Sequence, residues 1–235
     1  KKIKINDLIQ NAIALHQQFN FSEAQAIYEN ILTIEPNNFD ALRLLGVLFA
    51  QTKKNKEAVE ALSKALKVNP NHVRSLSNLG VALKELRQFN EALASFNKAL
   101  SFDPNFVDAH TNRGNLLRDM KQFDEALASF NKALLLNPNY GETHFNLANI
   151  LQDLNRFDEA LDSYDKAISL KPEYPEAYYN RANILLELNH LNDALICYDK
   201  AIKLKPDYAQ AYYNKGNILL QLNRFDEAIT SYNQT

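Results

Sequence analysis

Pro36, Pro70, Pro104, Pro138, Pro172 and Pro206 stand 34 residues apart without interruption, and they are six of the seven prolines in a chain of 235 residues. Proline lacks an N–H and its ring collides with the preceding turn, so each one stops a helix. A helix stop recurring at this period marks the helix–turn–helix unit of a solenoid, a unit too small to bury its own apolar face. The chain must therefore stack copies of one unit, and the length-based prior of one or two globular domains gives way to the repeat.

Placing each proline near the end of a unit cuts the chain into 5–38, 39–72, 73–106, 107–140, 141–174 and 175–208, with a partial unit at 209–235. The expected fold is all-α: antiparallel helix pairs in one solenoid over 1–235. In the third unit Leu76, Leu79, Gly80 and Leu83 fall on one helical face, and Phe89, Ala92, Leu93, Phe96, Ala99 and Leu100 on another. Arg87-Gln88 marks the turn between them. Asn155, Asn189 and Asn223 fill the first turn position in later units, and Asn tolerates the left-handed conformation that ends a helix. Ser22, Asn90, Asp124, Asp158, Asn192 and Asp226 share one column, broken by Lys56, and are expected to be N-caps of the second helix. The acidic residue after each suits the positive end of the helix dipole.

Two columns of small residues constrain the packing. Ala12, Gly46, Gly80, Gly114, Ala148, Ala182 and Gly216 sit inside the first helix, and Ala24, Ala58, Ala92, Ala126, Ala160, Ala194 and Ala228 inside the second. Glycine inside a helix costs about 1 kcal/mol against alanine, so its recurrence requires a close approach. Tyr28, Phe96, Phe130, Tyr164, Tyr198 and Tyr232, with Leu62 standing in once, follow the alanine column and are expected to fill the gap between units. These columns resemble the tetratricopeptide repeat over essentially the whole chain. The resemblance implies a right-handed superhelix with a concave groove lined by the first helices.

On the first helices, residues not spent on packing read Asn78, Asn112, Asn146, Asn180 and Asn214 in one column and Asn115, Asn149, Asn183 and Asn217 in a second, three residues on. Asparagine is a mediocre helix former, and its amide is both donor and acceptor, suited to the main chain of an extended peptide. Phe145, Tyr179 and Tyr213 lie beside this ladder and supply apolar area. The alternative reading is structural, with the amides bonding within or between helices. The ladder is similar to that in the arm of O-linked N-acetylglucosamine transferases, and Tyr178–Asn183 and Ala14–Gln18 are similar to arms of bacterial relatives. That resemblance implies either a protein-binding scaffold or the substrate-recognition arm of a larger glycosyltransferase. A self-assembling scaffold is a third reading. The clamp by which other family members grip a C-terminal carboxylate needs Lys and Arg, and here its positions hold Ser77, Thr111, Phe145, Tyr179 and Tyr213.

Formal net charge is −2, without the basic excess that displaces counterions from nucleic acid. Lys1, Lys2 and Lys4 precede Ile5, but Asn6, Asp7 and Gln10 interrupt any apolar run, and no segment is long enough to span a bilayer. Cys197, a lone cysteine, fits a reducing compartment, so a cytoplasmic location is expected. No Gly-rich phosphate loop appears, and His16, His72, His110, His144 and His190 show no helical metal-site spacing. No enzyme activity, cofactor or metal is expected. Paired acids such as Asp124-Glu125 and Asp158-Glu159 read as helix-start residues, Asp162 and Lys166 as a surface pair, and Cys197 as packing. Pro175 and Gly141 open first helices, where proline is well tolerated. The chain stops at Thr235 inside a second helix, which suggests a fragment. The face of Ala228, Ile229 and Tyr232 would then support weak self-association.

Overall fold

The computed structural model describes residues 5–235, so Lys1, Lys2 and Lys4 lie outside the described residues. Among the described residues there are fourteen α-helices and no strand. The first helices of the repeats are α1 (Ile5–Gln17), α3 (Phe39–Gln51), α5 (Val73–Glu85), α7 (Val107–Asp119), α9 (Gly141–Asp153), α11 (Pro175–Glu187) and α13 (Ala209–Gln221). The second helices are α2 (Phe21–Ile34), α4 (Asn55–Val68), α6 (Phe89–Phe102), α8 (Phe123–Leu136), α10 (Phe157–Leu170), α12 (Leu191–Leu204) and α14 (Phe225–Tyr232). The chain divides into two compact units, one up to Ser129 and one from Phe130 to Thr235. Within each, a first helix packs on its own second helix, and that second helix packs on the first helix of the following repeat.

The turn inside each repeat is built by one left-handed residue. Phe19, Lys53, Arg87, Lys121, Asn155, Asn189 and Asn223 all adopt φ between 57° and 62°. The following N–H then reaches back five residues, as from Gln88 to the Leu83 carbonyl at 2.9 Å, which closes a Schellman motif. The turn between repeats is set by proline. A pre-proline residue is driven to extended backbone, and Glu35, Asn69, Asp103, Lys171 and Lys205 have φ of −128° to −137° immediately after the last helical residue.

Two expectations change. The second helices begin two residues earlier than the capping pattern suggests, so Ser22, Asn90, Asp124, Asp158, Asn192 and Asp226 lie inside the first turn and are not N-caps. The cap residues described for the second helices are Asn20, Lys54, Gln88, Arg156, His190 and Arg224, none with a side-chain cap bond. The Schellman turn is the reason: it hands the chain directly into the next helix, and the buried Ala column donates the first helical bond, as from Ala92 to Gln88 at 3.0 Å. The acidic residues still meet the dipole, and in two repeats the cap arginine grips them: Arg156 on Glu159 and Arg224 on Glu227.

The aromatic column also sits elsewhere. It covers the small residue of its own repeat's first helix and does not merely plug the space between repeats. A Cβ on Gly80 would lie 2.7 Å from the Phe96 ring, one on Gly46 2.6 Å from Leu62, and one on Gly216 2.6 Å from Tyr232. Real Cβ atoms do not approach so closely, so glycine here is the space that the Phe96 or Tyr232 ring or the Leu62 side chain occupies. Tyr28, Leu62, Phe96, Phe130, Tyr164 and Tyr198 are fully buried. No helix among the described residues is long and apolar enough to cross a membrane.

Candidate functional site

In residues 130–235, α9, α11 and α13 place Asn146, Asn180 and Asn214 in one column and Asn149, Asn183 and Asn217 in the next. The second column is committed inside the protein. The hydroxyl of Tyr164 donates to Asn149 Oδ1 at 2.6 Å, that of Tyr198 to Asn183 Oδ1 at 2.6 Å, and that of Tyr232 to Asn217 Oδ1 at 2.7 Å. The first column interlocks with it across repeats: Asn180 Nδ2 donates to Asn149 Oδ1 at 2.9 Å, and Asn214 Nδ2 to Asn183 Oδ1 at 3.2 Å. Asn180 retains a second N–H and its carbonyl oxygen, whereas Asn214 Nδ2 also donates to the Tyr179 hydroxyl at 3.3 Å and keeps only its carbonyl oxygen. In the unit up to Ser129 the amides of Asn78, Asn112 and Asn115 are half-buried, and Asn78 and Asn112 make no side-chain hydrogen bond among the described residues. Asn146 is buried.

A signal for the Tyr–Asn pairing lay in the sequence. The aromatic position is tyrosine where the partner position on the first helix is Asn149, Asn183 or Asn217, but Phe96 and Leu62 where it is Val81 or Val47. Two repeats break the pattern, the first with Tyr28 opposite Ile13 and the fourth with Phe130 opposite Asn115. The Tyr28 hydroxyl is buried without a hydrogen-bond partner, and burial pushes its pKa up to about 12 despite the opposing charge of Arg43.

Phe145 and Tyr179 each touch two further rings. Phe145 lies 4.6 Å from Tyr174 and 5.9 Å from Tyr164, and Tyr179 lies 4.8 Å from Tyr208 and 5.8 Å from Tyr198, measured between centroids. Tyr213 contacts Tyr232 at 5.8 Å and is 55% exposed. Tyr174 and Tyr208, at the N-caps of α11 and α13, are ring neighbours of the candidate residues that the sequence reading missed, although Tyr140, Tyr174 and Tyr208 form a column at the repeat period. Lys171 Nζ stands 4.4 Å over Tyr174 and Lys205 Nζ 4.7 Å over Tyr208, in cation–π geometry. Burial raises both phenols to about 12, helped by the carboxylates of Glu142 and Glu176 at Tyr174 and by Tyr179 and Glu176 at Tyr208.

The cations on these first helices are spent. Arg181 Nε pairs with Asp165 at 2.8 Å and its Nη1 approaches Cys197 Sγ at 3.0 Å, while Lys215 Nζ pairs with Asp199 at 2.6 Å. Cys197 is buried, its thiol pKa raised by burial. His110 Nε2 donates to the Pro104 carbonyl and His144 Nε2 to the Pro138 carbonyl, both at 2.9 Å, so each imidazole ties a first helix to the preceding proline turn. Among the described residues no group of three His, Cys, Asp or Glu is placed to hold a metal ion.

Family models of the tetratricopeptide repeat match residues 15–80, 73–106, 107–140, 129–162, 148–189 and 179–235. No curated protein matches the chain. Among solved structures, a tetratricopeptide repeat protein from Parabacteroides merdae is 21% identical with a TM-score of 0.75, over 98% of this chain and 91% of that one. Pseudomonas aeruginosa PilF is 24% identical with a TM-score of 0.75, over 86% and 92%. YrrB, described as a repeat protein of this kind with an unusual peptide-binding site, is 23% identical with a TM-score of 0.60, over 80% and 97%. Likeness at these identities establishes the fold, and none of the three singles out a glycosyltransferase arm. The 34-residue period, its small-residue columns and the matched models together place this chain in the tetratricopeptide repeat family.

Proposed function

We propose that this chain is a protein-binding scaffold whose first helices hold extended peptide through column amides, Asn78 and Asn112 in the unit up to Ser129 and Asn146, Asn180 and Asn214 in the unit from Phe130. Proteins of the family generally mediate protein–protein interactions. The observation that carries the reading is at Asn78 and Asn112. Both are half-buried amides in the middle of helices, and neither is committed to a hydrogen bond among the described residues. Their recurrence is unexplained by helix propensity, and an uncommitted amide offers a donor and an acceptor to a peptide main chain. Asn180 and Asn214 combine that role with the cross-repeat bonds already described, and Phe145, Tyr179 and Tyr213 add selectivity through side-chain contact. The second column, Asn115, Asn149, Asn183 and Asn217, supports the first.

The test exploits the difference between the two kinds of amide. Replacing Asn78 and Asn112 by Ala should leave the melting curve unchanged and weaken binding to a panel of unrelated extended peptides. At about 0.5–1.5 kcal/mol per hydrogen bond, the double variant should lose roughly five- to a hundredfold. Replacing Tyr179 and Tyr213 should instead change which peptides are preferred. Unaltered peptide affinity in the Asn78/Asn112 double variant would show that the column is structural.

A further inference from the structure

The second helices carry a row of charge that the groove does not use. Lys64, Lys98, Lys132, Lys166 and Lys200 recur at the repeat period on α4, α6, α8, α10 and α12. Among the described residues none of them has an ion-pair partner, and the expected Asp162–Lys166 pair does not form. Two of these lysines stand at the rim of clefts. One cleft, of about 340 Å³, has Leu66, Leu76 and Leu79 in its lining with Lys67 and Lys98 beside them. The other, of about 490 Å³, lies between α8 and α10, with Leu134, Leu135 and Leu170 in its lining and Lys166 beside them. They are the same place in the repeat: Leu66 and Leu134, Leu76 and His144, and Lys98 and Lys166 are each two periods apart.

Their chemistry is one-sided. No carboxylate lines either cleft. In the larger one, the His144 Nε2 is committed to the Pro138 carbonyl and the Ser169 hydroxyl to the Lys166 carbonyl, which leaves the Lys166 ammonium as the charged group at an apolar floor. Leu135 is 76% exposed, where the equivalent positions hold Lys67, Ser101, Ser169 and Lys203. Volumes of this order are those of side-chain and ligand pockets. One or two cations per cleft, Lys166 in the larger and Lys67 with Lys98 in the smaller, do not make the clusters of about four to eight basic residues that mark an anionic bilayer site.

We propose that these clefts dock an acidic segment of a partner protein, with a leucine-sized side chain on the leucine floor and an adjacent carboxylate against Lys166 or Lys98. Opposite charge at such a rim sets the choice of partner, and the apolar floor supplies the contact area. This surface is separate from the asparagine column and binds independently of it.

The experiment is a fluorescence-polarisation titration of the full chain with a labelled peptide containing Leu-Asp-Glu-Leu. Two matched peptides accompany it, one with Gln for Asp and Glu, one with Ala for Leu. The acidic leucine peptide should bind, and both matched peptides should bind about fivefold more weakly or worse, as for a partly exposed ion pair or a lost apolar side chain. Lys166→Glu should weaken binding similarly, and Lys98→Glu with Lys166→Glu further, whereas Lys56→Glu, outside both clefts, should not. Leu135→Ser removes an exposed side chain, so it should weaken the peptide without shifting the melt. The Asn78/Asn112 double variant should bind the acidic peptide normally. The proposal is overturned if the acidic peptide does not bind, if the Gln peptide binds as well, or if Lys56→Glu matters as much as Lys166→Glu. It is also overturned if the asparagine variant loses the acidic peptide, which would move that peptide into the groove, or if anionic vesicles alone bind in a Lys166-dependent way.

Discussion

Removing the same hydroxyl from two equivalent tyrosines should have opposite consequences. Tyr198 is fully buried and donates to Asn183 Oδ1 at 2.6 Å, with Asn214 Nδ2 3.4 Å from its oxygen. Tyr28, equally buried, finds no partner because Ile13 stands where the later repeat has Asn183. A net buried hydrogen bond contributes about 0.5–1.5 kcal/mol, while an unsatisfied buried hydroxyl costs about 1–3 kcal/mol. Tyr198→Phe should therefore lose roughly 1 kcal/mol, and Tyr28→Phe should gain a similar amount or be neutral. In a chain of this size 1 kcal/mol moves the melting midpoint by about 2–4 °C. The assay is thermal and urea unfolding of wild type, Tyr28→Phe and Tyr198→Phe, followed by Ile13→Asn, which supplies the missing acceptor. In Ile13→Asn, the further change Tyr28→Phe should become destabilising. Because repeat arrays can unfold in parts, the probes should report the first and the sixth repeat separately. Equal losses in Tyr28→Phe and Tyr198→Phe, with no dependence on residue 13, would refute the pairing argument.

Two further outcomes follow from the same packing. Gly80→Leu should cost about 1–3 kcal/mol by overpacking, since even a Cβ there meets the Phe96 ring at 2.7 Å. Phe96→Ala should partly relieve that loss, and Gly80→Ala should stay within about 1 kcal/mol, since alanine removes the helix cost of glycine and Ala148 and Ala182 occupy the same column; urea midpoints decide it. At alkaline pH, Tyr28, Tyr174 and Tyr208 keep their protons to about 12 in the folded state, against 10.0 for an ordinary phenol. The folded state then holds more protons than the unfolded one between those values, so stability is complete below pH 10 and falls as pH rises towards 12. Urea midpoints measured across that range should decline, and a flat profile would count against burial of these phenols.

The sequence by itself determined the period, the two helices of each repeat and both of its turns. These rest on local chemistry repeated in phase: proline stops a helix, a left-handed residue such as Asn155 or Asn189 closes one, and glycine at 46, 80 and 216 marks where a neighbour comes close. Even so, the second helices start two residues before the point the capping column marks, because the Schellman turn feeds straight into the helix and leaves the oxygen-bearing side chain in its first turn. Only the tertiary structure decided what the asparagines do. Tyr164 and Asn149 are 15 residues apart, and Asn180 and Asn149 are 31 apart. Such bonds depend on how helices are rotated and stacked, which a column of identical residues does not encode. The same column position is committed at Asn180, which meets Asn149 in the preceding repeat, and uncommitted at Asn78, where the residue 31 positions earlier is Val47.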